Sequence, residues 1–166
     1  MKKIISAVLI VCILFSVCGL AGCSLMQKKL LTLSSDVKEV SAGEEFTVIV
    51  SMKEIKMLAC LQFDVSVDGA AELTNRKTLE SKDMELMPNT VDGVLIMAAY
   101  VATVIDIDPF DFQKLTFKVS EDAKPGDVIT VKLNVSQLIK GLDVNGDNTE
   151  NITDTVSGDT LTVKVK

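Results

Sequence analysis

The sequence predicts an all-β fold, a β-sandwich of two sheets, on three observations. From Leu31 onward, short segments alternate apolar and polar residues with a period of two, and they are rich in Val, Thr, Ile and Phe. Gly, Pro, Asp and Asn bound these segments, as turn residues do. No long amphipathic helical pattern interrupts them. The chain after Leu31 is long enough for one domain with its own hydrophobic core.

Seven strands follow from this alternation in chain order. They are predicted at 30–34, 45–53, 59–67, 93–104, 114–119, 127–135 and 160–165. The pattern between residues 70 and 92 is weaker. There, "ELTNRKT" is compatible with another strand, and "ESKDMEL" with a turn or a helical fragment.

The same alternation assigns the two faces of each strand, because successive side chains point to opposite sides of a sheet. The predicted core positions are Leu61, Phe63, Val65 and Val67, then Leu115, Phe117 and Val119, then Ile129, Val131 and Leu133. Their neighbours, such as Thr130, Lys132 and Asn134, are predicted to face solvent.

The segment "GVLIMAAYVATV" at 93–104 does not follow the alternation, since both of its faces are apolar. One interpretation is a strand covered by protein on both sides. The other is an exposed apolar patch, which often marks an interaction surface. The residues alone leave both open.

The N-terminus has the layout of an export signal. Lys2 and Lys3 precede an apolar run and then small residues, and "LAGC" resembles the bacterial lipobox, whose cysteine becomes the lipidated first residue of the mature protein. We expect residues 1–22 to be a lipoprotein signal peptide, Cys23 the lipidation site and residues 23–30 a tether. The domain then spans 31–166, held on the extracytoplasmic face of the bacterial membrane by its lipid anchor alone.

Charge and composition exclude several classes of function. Loss of residues 1–22 leaves 15 basic and 23 acidic side chains, a net charge near −8 that disfavours nucleic acid as a partner. The chain has no histidine, the commonest general base. Asp106, Asp108 and Asp111 offer carboxylates, but an Asp-rich segment beside proline is usually a solvated turn. We expect no catalytic activity and no cofactor.

One segment has the spacing of a calcium loop. In "GLDVNGDNTENITD", the residues Asp143, Asn145, Asp147, Asn151 and Asp154 fall at positions one, three, five, nine and twelve, and of these Asp143, Asn145, Asp147 and Asp154 are weak candidate metal ligands. However, Asn148 occupies the position where glycine is expected, and a strand pattern follows where a helix should. We interpret 143–154 as the acidic connection into the last strand.

Three motifs, taken together, resemble cohesin domains. They are "SAGEEFTVIVSMKEIKMLACLQFDVSVD", "VDGVLIMAAY" and "KLTFKVSEDAKPGDVITVKLN", in the family's order and at its spacing, and they cover most of residues 31–166. The resemblance implies a jelly-roll sandwich of about nine strands without catalytic activity. It also implies a partner, the calcium-loaded module called dockerin, bound on an outer sheet face.

The resemblance also points to binding residues. It places Cys60, Gln62 and Asp64 on the binding face of one strand, and Val94, Ile96, Ala98 and Tyr100 on that of its neighbour. An amide at Gln62 fits the family's pattern, whereas Cys60 departs from it. Cys60 is also the one cysteine that remains after removal of the signal and lipidation of Cys23, so no intrachain disulfide is expected.

The function expected from the resemblance is a cell-surface adaptor that binds dockerin-bearing proteins and assists polysaccharide degradation. Two alternatives stay open: a surface lipoprotein that binds carbohydrate directly, and one that serves as a spacer. Sugar binding normally uses a platform of aromatic rings. Most phenylalanines fall on core positions, and Phe110 and Phe112, which we place in a loop, are the exceptions.

Overall fold

The computed structural model describes residues 27–145 and 147–166, which form strands joined by turns. The strands are β1 (Lys28–Lys29), β2 (Leu31–Ser34), β3 (Glu39–Val40), β4 (Glu45–Met52), β5 (Ile55–Asp68), β6 (Ala71–Thr78), β7 (Glu85–Val91), β8 (Val94–Ile107), β9 (Phe110–Val119), β10 (Val128–Gly141), β11 (Thr149–Asn151), β12 (Val156–Ser157) and β13 (Asp159–Val165). A 3₁₀ turn at Thr153–Thr155 precedes β12.

Two sheets face each other across the core. The larger sheet has the strand order β3-β13-β10-β5-β8-β7, with β11 paired to the end of β10, and the smaller sheet has the order β2-β4-β9-β6. A parallel ribbon of β1 and β12 lies beside them. Except at the β7–β8 hairpin, the chain passes from one sheet to the other between successive long strands from β4 to β10. The predicted two-sheet sandwich is confirmed.

All seven predicted strands are present, and the uncertain stretch contains two more. "ELTNRKT" lies in β6, as suggested, while "ESKDMEL" forms a turn and then enters β7. Lys82 and Asp83 in that turn have positive φ angles of 49° and 62°. Nine described strands have four or more residues, which agrees with the expected number. Four strands of two or three residues bring the described total to thirteen.

The core residues predicted by alternation are buried, apart from Val67, which is half-buried at the end of β5. Aromatic rings pack within and between the sheets. The rings of Phe46 and Phe117 stack within the smaller sheet with centroids 5.3 Å apart, and Phe63 of the larger sheet meets Phe112 of the smaller one with centroids 5.8 Å apart. Buried apolar area of this kind contributes most of the stability of a sandwich.

The placement of Phe110 and Phe112 in a loop is wrong, because both lie in β9. Opposite β4, Val50 pairs with Gln113 and Ser51 pairs with Asp111, so Phe112 is the extra residue of a β-bulge. The bulge turns two consecutive side chains inward, and both Phe112 and Gln113 are fully buried. Alternation counted back from Leu115 therefore assigns the wrong face to Phe112.

β10 continues beyond its predicted end at residue 135, and a second bulge lies at that point. Val135 pairs with Phe63 and Gln137 with Gln62, which leaves Ser136 unpaired between them. The apolar positions shift from odd to even numbers there, so that Leu138 returns to the core.

The β7–β8 hairpin places an edge strand beside β8. Val91 pairs with Val94, and the two residues between them, Asp92 and Gly93, have φ angles of 50° and 79°. Left-handed backbone at both central positions is the geometry of a tight hairpin turn, for which Asp-Gly is a preferred sequence.

Candidate partner-binding face

The solvent side of four adjacent strands, β10, β5, β8 and β7, forms a continuous surface that we call the outer face. Its residues are arranged in rows that cross the strands. Tyr100 lies opposite Cys60 on one side and Glu85 on the other. The next rows hold Ala98 opposite Gln62 and Met87, and Ile96 opposite Asp64 and Asn89. Val94 ends the β8 series opposite Val91.

All seven residues predicted for a binding face therefore lie on this one surface. Cys60, Gln62 and Asp64 come from β5, and Val94, Ile96, Ala98 and Tyr100 come from β8. Tyr100 is 41% exposed and the other six are half-buried. The apolar second side of β8 is thus partly open to solvent, which favours an exposed patch over a strand covered on both sides.

Edge strand β7 adds residues that the sequence analysis missed. Met87 is 52% exposed and Val91 is 47% exposed, and both lie on the outer face beside β8. They extend the apolar surface to the edge of the sheet. The Asp92–Gly93 turn was the available signal, because a two-residue hairpin loop would have paired β7 with β8 and fixed its register.

The opposite half of the outer face is polar. In β10, Asn134 lies opposite Asp64 and its side-chain amide donates a hydrogen bond of 3.0 Å to the Asp64 carboxylate. Lys132, one row further, forms an ion pair with Asp68 at the end of β5. The outer face therefore combines an apolar half on β7 and β8 with a polar half on β5 and β10.

A family model, the cohesin domain, matches residues 31–165, nearly all of the described sandwich. The chain belongs to the cohesin family. No curated protein matches the chain at a significant level.

Solved cohesin structures have the same fold at low sequence identity. The seventh ScaB type I cohesin of Pseudobacteroides cellulosolvens has a TM-score of 0.61 and 16% identity, covering 84% of this chain and 94% of that one. The cohesin of the Coh-OlpA–Doc918 cohesin–dockerin complex of Clostridium thermocellum has a TM-score of 0.54 and 16% identity, covering 83% and 100%. A type III cohesin from the cell-surface anchoring scaffoldin ScaE of Ruminococcus flavefaciens has a TM-score of 0.58 and 13% identity, covering 89% and 92%.

Cys60 of this cohesin domain is half-buried in the outer face, opposite Tyr100 in β8 and Ile139 in β10. Burial raises the pKa of the Cys60 thiol above its ordinary value. The thiol is therefore protonated near neutral pH, where it contributes contact area and little nucleophilicity.

Two of the three aspartates considered for catalysis, Asp106 and Asp111, take part in local hydrogen bonds. The Asp111 carboxylate accepts a hydrogen bond of 2.7 Å from the Ser51 hydroxyl, and the Asp106 carboxylate accepts one of 3.0 Å from the backbone N–H of Met57. Lys56 lies 3.5 Å from Asp106. These contacts hold strand ends in place.

The segment with the spacing of a calcium loop lies in the connection from β10 to the last strand, as predicted. The Asp143 carboxylate accepts hydrogen bonds from the backbone N–H groups of Asn145, Asp147 and Asn148 and from the Asn148 side chain. The Asn148 amide and these N–H groups lower the pKa of Asp143. Within the described part of the chain, no three or more acidic, cysteine or histidine side chains converge as a metal site. Asp154 lies in the 3₁₀ turn.

The predicted signal peptide and lipidation site, including Cys23, lie outside the described residues. The described end of the predicted tether is attached to the sandwich. Leu30 is buried, β1 pairs with β12, and the Lys29 ammonium lies 2.6 Å from the Asp159 carboxylate. Across the described ranges, no helix has the length and apolar character to cross a membrane.

Few aromatic rings are available on the described surface. Phe46, Phe63, Phe112 and Phe117 are buried, Phe110 is half-buried under Lys82, and Tyr100 is exposed on the outer face. Tyr100 and Phe110 are on different parts of the fold, since β8 belongs to the larger sheet and β9 to the smaller one.

Proposed function

We propose that this protein is a non-catalytic adaptor whose cohesin domain binds dockerin-bearing proteins through the outer face. The observation that carries this proposal is the apolar half of that face. Tyr100, Met87 and Val91 are each more than 40% exposed there, around the half-buried Ile96 and Ala98. Exposed side chains of this kind on adjacent strands are costly to leave in water unless a partner covers them.

The arrangement of the outer face fits a protein partner. Protein interfaces combine an apolar or aromatic centre with a polar rim, and tyrosine is enriched among the residues that contribute most binding energy. Here Tyr100 and Met87 supply the apolar part, while Asp64, Asn134 and Lys132 supply polar groups at its side. Solved cohesins in complex with dockerin support the choice of partner.

We further propose that the domain works at the cell surface, anchored through a lipid on Cys23, where it holds dockerin-bearing enzymes and assists polysaccharide degradation. The lipobox-like "LAGC" and the preceding apolar run support the anchor. The ScaE cohesin of Ruminococcus flavefaciens, which comes from a cell-surface anchoring scaffoldin, supports the location by analogy. Mass spectrometry of the mature protein is expected to find Cys23 as the first residue with a lipid attached, and an unmodified Cys23 would contradict the anchor.

The class of partner is tested by affinity capture on residues 24–166, which include every described residue of the sandwich. Enrichment of dockerin-bearing proteins from the secreted proteins of the source organism, with a blank polysaccharide array, is the expected result. Binding to a polysaccharide without any dockerin would instead favour the carbohydrate-binding alternative. No binding in either experiment would favour a spacer.

The location of the site is tested by calorimetry with a captured dockerin. Replacing Tyr100 with alanine is expected to weaken binding by more than about 1 kcal/mol, roughly fivefold, because the substitution removes the exposed ring. The Tyr100→Phe variant keeps the ring and serves as the control, with a smaller loss. Unchanged affinity in Tyr100→Ala would remove this residue from the site.

A further inference from the structure

The ladder between β5 and β8 is interrupted next to Tyr100. Pairing runs from Val65–Leu95 to Cys60–Tyr100 and resumes only at Leu58–Ile105. Between these pairs, β5 has one residue, Ala59, whereas β8 has the four residues 101–104. The three additional residues cannot stay in the plane of the sheet, so this segment, which we call the excursion, projects from it.

The excursion passes over the solvent side of β5. Its middle residues, Ala102 and Thr103, are exposed. Its last residue packs on Gly141 of β10, where a Cβ atom would lie only 2.4 Å from the Val104 Cγ1 atom. Because β5 lies between β8 and β10 in the sheet, Val104 reaches Gly141 only by crossing β5. Glycine at position 141 leaves the space that this crossing requires.

The excursion is fixed at its ends. Tyr100 pairs with Cys60 at the first end and Ile105 pairs with Leu58 at the second. Just beyond the second end, the backbone N–H of Met57 donates a hydrogen bond of 3.0 Å to the Asp106 carboxylate. Met57 has a φ of 59°, a left-handed conformation within the irregular part of the β5–β8 pairing. With both ends paired and Val104 packed on Gly141, the excursion holds its position without a partner.

We propose that the excursion forms the end wall of the outer face and determines which dockerin modules this cohesin accepts. The inference rests on the proposed function of that face. The excursion adjoins the row of Ile139, Cys60 and Tyr100, so that a module covering Tyr100 meets Ala102 and Thr103. Both side chains are small, which allows close approach to the wall. Dockerin modules with bulky side chains at the edge that meets the wall are rejected by steric conflict. Because the wall is already ordered in the free domain, binding carries little additional entropic cost from ordering it.

The test uses residues 24–166 and dockerin modules captured from the source organism, together with Doc918 and the Cel5 dockerin of the solved complexes as further probes. Replacing Thr103 with arginine is expected to weaken binding of the captured modules by at least about tenfold, because the new side chain projects into the space of the partner. The matched control is Thr74→Arg, at an exposed position of β6 in the other sheet. This control is expected to bind within about twofold of the wild type, with both melting temperatures unchanged.

A second variant tests selection separately from steric blocking. Deleting residues 102–104 leaves one residue opposite Ala59 and restores a continuous ladder. If the wall selects partners, this variant changes the order of affinities across the probes and admits modules that the wild type rejects. An unchanged order would overturn the inference.

Tyr100→Ala separates failure of the inference from failure of the proposed function. If Tyr100→Ala weakens binding and Thr103→Arg does not, the outer face is the site and the wall plays no part in recognition. If neither substitution weakens binding, or if no dockerin binds at all, the proposed function fails and the inference fails with it.

Discussion

Strands β8 and β9 follow each other in the chain, and both depart from strict alternation for different physical reasons. In β8, the buried Leu95 and Met97 alternate with the half-buried apolar residues Ile96 and Ala98, so the pattern is apolar on both sides. In β9, the bulge at Phe112 turns two consecutive residues inward, so the pattern changes phase.

The difference shows that an irregular apolar pattern has two structural meanings. In a two-sheet sandwich, a strand needs only one apolar side, the side that faces the core. A strand with two apolar sides therefore has an apolar outer surface that folding alone does not require. A strand with a change of phase identifies a residue that has been added to the core. The first kind affects binding and the second affects stability, and substitutions distinguish them.

The largest expected effect is on stability, in β9. Phe112→Ala removes a fully buried ring that packs against Phe63 and Phe110, with ring centroids 5.8 and 5.7 Å away. We expect a loss of about 3–5 kcal/mol in the free energy of unfolding, measured by urea titration. Phe110→Ala, at a half-buried position, is the control and should lose less. Equal losses would mean that Phe112 does not occupy the core.

The next effect is on binding, in β8. Ala98→Asp places a charge in the apolar half of the outer face, and we expect dockerin affinity to fall about 100-fold, equivalent to about 2.7 kcal/mol. Thr116→Asp in β9 is the matched control, since Thr116 is also half-buried on the outward side of a central strand. It places the same charge on a central strand, at no smaller cost in strand propensity, and should keep its affinity. Equal effects of both variants in calorimetry would contradict the assignment of the face.

A smaller effect is expected at the other inward residue of the bulge. The side-chain amide of Gln113 donates a hydrogen bond of 3.1 Å to the Thr78 hydroxyl, and its oxygen accepts one of 3.4 Å from Arg76. Gln113→Leu replaces a polar group by an apolar one of similar size, while both partners are half-exposed and keep access to water. The free energy of unfolding should change by less than about 1 kcal/mol. A loss of more than about 2 kcal/mol would show that the polar group specifies the bulge.

The smallest expected effect concerns thiol reactivity on the outer face. Because burial raises the pKa of Cys60, the thiolate fraction at a given pH is lower than in a free cysteine, and alkylation by iodoacetamide should be slower and should accelerate as the pH rises. Residues 24–166 contain this cysteine alone, so mass spectrometry reports it directly. A bound dockerin should slow the reaction further. An alkylation rate that is the same with and without dockerin would show that the partner does not cover Cys60.

Much of the fold could be predicted because, in most strands, apolar and polar residues alternate without interruption from one end to the other. Alternation assigned Leu61, Phe63 and Val65 of β5 to the core correctly. It failed where the backbone, and not the side-chain pattern, decides the outcome. Phe112 is an example, since the change of phase between Phe112 and Leu115 fits a loop as well as a bulge, and only the pairing with β4 shows an unpaired residue within a continuous strand.

The candidate face was predicted on β5 and β8, where the residues carry a pattern, and was missed on β7. Pro88 interrupts β7, and its outer side mixes apolar Met87 and Val91 with polar Glu85 and Asn89, so the strand has no continuous apolar side to detect. The excursion was also beyond sequence analysis. "VATV" continues the mainly apolar run of β8, and only the pairing with β5 shows that these residues leave the sheet.

The attachment of β1 has a consequence for how far the domain could travel from a lipid on Cys23. Gln27 is the first described residue and its side-chain amide donates a hydrogen bond of 2.9 Å to the Asp154 carbonyl oxygen, close to the ion pair of Lys29 and Asp159. Four residue steps separate Cys23 from Gln27, a contour of about 14 Å at full extension. This connection is shorter than the length of the sandwich. An anchored domain would therefore meet its partners within a thin layer above the bilayer. A bound enzyme would then be held at a roughly constant height and at high local concentration along the cell envelope.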